Sequence, residues 1–77
     1  MKLHWFCYTY SGLSLVELQR CEACTYSGQA SKRITRKIIN DHKEAAGVTS
    51  GAVLIAAIYL GEMTREEFTG EDNNETP

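Results

Sequence analysis

No apolar run in this chain is long enough to cross a bilayer. The densest apolar run lies within residues 49–61, only about thirteen residues long, well short of the roughly 20 that a membrane helix needs. No secretory leader is expected, because Met1-Lys2-Leu3-His4-Trp5 has neither the apolar core nor the small-residue cleavage site of one. Cysteine is scarce and odd in number: Cys7, Cys21 and Cys24 cannot all pair within one chain. Together these features predict a reducing, cytoplasmic setting and no contact with a membrane. Basic excess is lacking too, since 8 Lys and Arg stand against 10 Asp and Glu for a net charge of -2, which argues against a dedicated, strongly basic nucleic-acid binder. Nor is there a catalytic signature. His42 has no Ser or Cys partner beside it and no paired carboxylates nearby in sequence, so the chain is expected not to be an enzyme.

What is present suffices for one small domain. With 43% hydrophobic and 23% charged residues the chain has the composition of a folded protein rather than a disordered one. The domain is expected over residues 1–68, followed by a flexible acidic tail over 69–77. At 77 residues a single core gives marginal stability, and a homodimer is the expected supplement. Charge is unevenly spread: Lys32, Arg33, Arg36, Lys37 and Lys43 make one basic stretch, whereas Glu62, Glu66, Glu67, Glu71, Asp72 and Glu75 make the last quarter acidic.

Local patterns predict an α+β fold, mostly helical: one N-terminal strand, three helices and a short C-terminal helical turn. Residues 2–10 are rich in aromatic and β-favouring side chains and read as a strand with no plainly polar face, so it needs cover on both sides. Ser14-x-x-Glu17 matches a capping box and predicts a short helix over 15–24. Ser31 caps a second, over 32–46, with Gly47 as its stop. Ile34, Ile38, Ile39, His42, Ala45 and Ala46 share one side of that helix, and Arg33, Arg36, Lys37, Asn40 and Lys43 the other. His42, in the apolar stripe, reads as a hydrogen-bonded core or interface residue. The uncharged stretch 49–61 is ambiguous by periodicity. Thr49 as cap and Ala52, Ala56 and Ala57 as helix formers favour helix, and the alternative is a second strand over 53–60 pairing with 2–10. Thr64-x-x-Glu67 predicts a last single turn that tucks Phe68 against the core.

Three constellations bear on function. The apolar surface around Ala52, Ala56 and Tyr59, with Trp5 and Tyr8 of the strand, is the expected interface for a second copy or another protein. Arg33, Arg36, Lys37, Asn40 and Lys43 form a face able to meet phosphates, or an acidic protein, without reading bases. His4-x2-Cys7 and Cys21-x2-Cys24 offer four zinc-type ligands, although His4 and Cys7 point to opposite faces of a strand. No metal is therefore favoured, and zinc is the one cofactor the residues could take. Redox use of Cys21-x-x-Cys24 is disfavoured by its position at a helix end beside Glu22.

Ala45-Ala46-Gly47-Val48-Thr49 followed by Val53 resembles the turn of bacterial helix-turn-helix repressors. The segment after that turn, Leu54-Ile55-Ala56-Ala57, has no polar groups to read bases. More broadly, Asp41-His42-Lys43-Glu44, residues 47–56 and Tyr59-Leu60-Gly61 resemble short uncharacterised proteins of phages and prophages of enteric bacteria. That resemblance implies a small accessory protein of a class that often binds host or phage machinery and sometimes binds DNA. The expected function is a non-enzymatic regulator or inhibitor, homodimeric, acting by protein-protein binding. The competing expectation is a small DNA- or RNA-binding regulator using residues 32–43, and a zinc-stabilised binding module comes third.

Overall fold

A computed structural model describes residues 1–70. The order of elements is β1 (Leu3–Leu13), β2 (Arg20–Gln29), α1 (Arg36–Ala46), β3 (Val53–Met63) and α2 (Arg65–Thr69). The three strands form one antiparallel sheet in the order β2-β1-β3, with α1 laid across one face. The fold is therefore mostly β, not mostly helical. Two of the three expected helices are corrected by it, whereas the strand alternative for residues 53–60 is the form observed.

The first correction concerns residues 15–24. Ser14 does cap a turn, its Oγ accepting from the backbone N-H of Val16 at 3.1 Å and of Glu17 at 3.2 Å. The turn stops at once, because Leu18 adopts a left-handed φ of 56° that no helix continues through. The Ser14 N-H then donates to Gln19 O at 2.9 Å, closing a hairpin loop from which β2 departs. β2 is held by the register Tyr8 to Thr25 and Tyr10 to Ala23, and its inward residues Cys21, Ala23, Thr25 and Ser27 alternate with exposed ones. Pairing with β1 fixes this strand; its own propensity does not.

The second correction concerns residues 49–61. Thr49 does not begin a helix. Its N-H donates to Leu13 O at 2.9 Å and its carbonyl accepts from Ala52 N at 3.0 Å, which turns the chain into β3 beside β1. Cross-strand hydrogen bonding outweighs the helix preference of Ala52, Ala56 and Ala57, and buries Ala52 at the head of the strand.

Chemistry that acts over one turn survives better. α1 begins at Arg36 with Thr35 as its cap, Oγ1 accepting from Ile38 N at 3.2 Å. Ser31 is not the cap, since its hydroxyl serves Arg33 N locally. Gly47 ends the helix at φ 84°, a conformation only glycine takes without strain. Thr64 and Glu67 form the full capping box that starts α2. That turn stacks Phe68 on Trp5, ring centroids 4.0 Å apart and nearly parallel. The expected tail lies, from residue 71 onward, outside the described residues.

The core sits between α1 and the sheet. Phe6, Tyr8 and Tyr10 of β1 meet Val48 and Ala52, with Ile34, Ile38, Ile39, Ala46 and Leu54 packed around them. The Tyr8 hydroxyl donates to Gln29 Oε1, which also accepts from Ser27 Oγ at 3.1 Å. The Gln29 amide in turn donates to Ser31 O and Arg33 O, fixing the loop that leads into α1. Tyr10 donates to Ile39 O at 2.6 Å, a second tie between sheet and helix. His42 belongs to this layer, with Nδ1 2.9 Å from Ile38 O and its ring beside Tyr8.

This burial has a consequence in alkali. Desolvation pushes the Tyr8 hydroxyl above the ordinary 10.0, the Gln29 bond partly opposing it. The Tyr10 hydroxyl is raised by desolvation and then by Tyr8 beside it. The unfolded chain loses these protons first, so the stabilisation is complete below the ordinary tyrosine value and is lost as pH rises through the higher folded values. Thermal melts are expected to show a Tm that falls above about pH 10, and falls less steeply in Tyr10→Phe. Parallel slopes for the two proteins would contradict it.

Candidate functional site

Because side chains alternate along a strand, the register sorts the sheet into two faces. His4, Phe6, Tyr8 and Tyr10 lie toward α1 with their partners Gln29, Ser27, Thr25 and Ala23 on β2. On β3 their partners are Glu62, Tyr59, Ala57 and Leu54. The opposite face carries Trp5, Cys7, Thr9 and Ser11, flanked by Tyr26, Cys24 and Glu22 on one side and by Ile58, Ala56 and Val53 on the other. One end of that face is covered: Phe68 lies on Trp5, with the edge of Tyr26 against it, and the indole N-H donates to Met63 O at 2.9 Å. Beyond Trp5 no described element covers it.

An antiparallel sheet with one solvated face is expected to present polar residues there. Here Val53 is 62% exposed, and Ile58 and Tyr26 are each 55% exposed. The middle of the face, formed by Cys7, Thr9, Cys24, Ala56 and Ile58, carries no charge. β3 alone supplies five of the exposed large apolar side chains among the described residues, namely Val53, Ile55, Ile58, Tyr59 and Leu60. Ile55 and Leu60 sit at the two register shifts, between Thr9/Tyr10 and Trp5/Phe6, where β3 has one residue more than β1. The hairpin tip adds a separate apolar spot, with Val16 at 89% and Leu18 at 65% exposure.

The residues expected from sequence to form an interface are divided by the fold. Tyr8 and Ala52 are buried in the core, and Trp5 is buried beneath Phe68. Tyr59 is exposed at the β3 edge, where the Lys32 ammonium lies 5.1 Å from its ring, and Ala56 is half-buried on the open face. Ile58, Val53 and Tyr26 were not singled out by sequence reasoning. The available signal was the apolar character of residues 53–60 at both odd and even positions, informative only once the stretch is read as a strand.

The basic set is also divided. Lys37 forms an ion pair with Asp41 at 2.7 Å, which raises its pKa by hydrogen bond and charge. Lys43 donates to Ser50 O at 2.9 Å. Arg36 and Asn40 share the exposed side of α1 with Asp41 and Glu44, and Arg33 lies in the loop before it. The face is thus mixed in sign rather than a basic stripe. The turn likened to helix-turn-helix repressors leads into β3, so no recognition helix follows it.

The four zinc-type residues are split two and two. His4 and Cys21 face α1, while Cys7 and Cys24 lie on the open face as diagonal neighbours. Among the described residues no group of three or more metal-ligating side chains gathers. Burial raises the Cys7 thiol pKa, and Cys24 beside it raises it further, which disfavours the thiolate. Cys21 and Cys24 point to opposite faces of β2, which removes the Cys-x-x-Cys pair as a unit. Among the described residues no helix is long and apolar enough to cross a membrane. Comparison with protein-family models, with curated proteins and with solved structures finds no match to this chain.

Proposed function

We propose that this chain is a small non-enzymatic regulator or inhibitor that acts by binding another protein, and that it does so with the open face of its sheet. The observation that carries this reading is the exposure of Val53, Ile58 and Tyr26 around an uncharged centre. A patch of that kind attracts an apolar protein surface and offers nothing to a phosphate backbone. The packing of the other face of the same sheet supports a helical partner: α1, an amphipathic helix of 11 residues, supplies Ile38 and Ile39 to the core. The partner is accordingly a protein that presents the apolar stripe of an amphipathic helix.

A photoreactive phenylalanine analogue in place of Tyr26, introduced in the native host, tests this. The expected result is a cross-link to a protein other than this chain, lost when Thr9→Lys places a charge in the middle of the face. The same probe at Arg36 is expected to give none. Salt-sensitive binding of wild type to duplex or single-stranded nucleic acid, abolished by Arg33→Glu with Arg36→Glu, would overturn the reading in favour of the mixed face of α1.

A further inference from the structure

The order β2-β1-β3 leaves two strands with an unpaired edge, and they differ in chemistry. β2 carries Arg20 and Glu22, whereas β3 carries no charged residue from Val53 to Gly61. Exposed edges are normally blunted by Lys, by Pro or by a cover, since a row of free N-H and C=O groups invites another strand. Among the described residues the only blunting is the pair of bulges at Ile55 and Leu60, which leave residues 56–59 regular between them.

We propose that the β3 edge pairs antiparallel with β3 of a second copy of this chain, about a two-fold axis normal to the sheet, giving one six-stranded sheet. Such an axis sets the same stretch of each copy against the other, so it tolerates no like charge near the centre. Residues 53–61 contain none. At the ends the charges match. Glu62 lies on the α1 side of the sheet, as its register with His4 shows. With the axis near Ala57 or Ile58, Glu62 falls beside the start of the other copy's β3. Lys43 stands there, on the same side, tied to Ser50 O. Two Glu62–Lys43 pairs form, one at each end. The arrangement also brings the two copies' Ile58 side chains together on the open face, adding apolar burial to a chain that has only six buried apolar residues among those described.

Ala57 gives a test separate from the open-face reading, because it is exposed on the α1 side of the edge. In sedimentation equilibrium the wild type is expected at twice the 8.6 kDa chain mass. Ala57→Glu sets two carboxylates across the axis and is expected to weaken the dimer by on the order of a hundredfold. Its circular dichroism should be unchanged. Mixing Ala57→Glu with Ala57→Lys is expected to restore a dimer of one copy of each. Amide exchange reads the edge directly, since every second β3 amide exchanges fast in a monomer and all are protected in this dimer. A monomeric wild type, a dimer indifferent to Ala57→Glu, or a dimer whose outward β3 amides still exchange fast would each overturn the proposal. The Tyr26 cross-link to another protein would stand or fall independently.

Discussion

Tyr8→Ala is expected to leave the chain largely unfolded at 25 °C. Tyr8 is fully buried on the central strand, parallel to Phe6 and next to His42 of α1. Removing a buried aromatic ring costs about 3–5 kcal/mol, and a chain of this length has on the order of 4–12 kcal/mol in all, with small domains at the low end. The hydroxyl is the smaller part of the loss. In Tyr8→Phe, Gln29 Oε1 keeps its bond from Ser27 Oγ and its amide keeps the loop before α1, so about 1 kcal/mol is expected. Urea unfolding followed through Trp5, the only tryptophan, separates the two. A Tyr8→Ala protein that unfolds at the wild-type urea midpoint would mean that the core is not centred on β1.

Gly12→Val is expected to be nearly as damaging, for the opposite reason. A Cβ built at Gly12 would lie 2.5 Å from the Ala52 Cβ and 2.7 Å from its Cα. Part of that obstacle is backbone, and Ala52 is itself buried in the core, so no flexible side chain can move aside. Overpacking of this kind costs about 1–3 kcal/mol or more, and relief requires the turn before β3 to lift from β1. Ala52→Gly in the same chain removes only the Cβ contact, so a partial rescue is expected. Thermal melts of the single and double variants measure it. A Gly12→Val protein as stable as wild type would show that the turn at residues 49–52 does not sit on β1.

How much of this was legible in the sequence follows from the range of the interactions. Gly47 ends α1 and Thr64 with Glu67 begins α2 as expected, because each depends on groups within one turn. The amphipathic pattern of residues 34–46 placed Ile38, Ile39 and His42 on the inner side of α1 for the same reason. β2 was hidden, since its inward residues Cys21, Ala23, Thr25 and Ser27 are small and only weakly apolar, and a strand of that kind exists by virtue of pairing with β1. β3 looked helical through its alanines until the register with β1 is known.

The candidate site inherited those gaps. Without β2 and β3 the faces of the sheet cannot be assigned, so Trp5, Tyr8 and Ala52 read as interface residues although the fold buries them within the chain. Ile58 and Val53, which the fold exposes, had no signal of their own. The basic residues were visible, but not that Lys37 is paired with Asp41 or that Lys43 is tied to Ser50 O.

Both functional readings depend on residues 53–63 being a strand at the edge of the sheet with Ile58 on the face away from α1. Nuclear Overhauser contacts in solution test that most directly. The expected result is backbone contact between Cys7 and Ile58 and between Thr9 and Ala56, with the Ile58 methyls close to Cys7 and far from Tyr8. Contacts between residues three apart along 52–60, with none to β1, would show a helix there and would contradict the account.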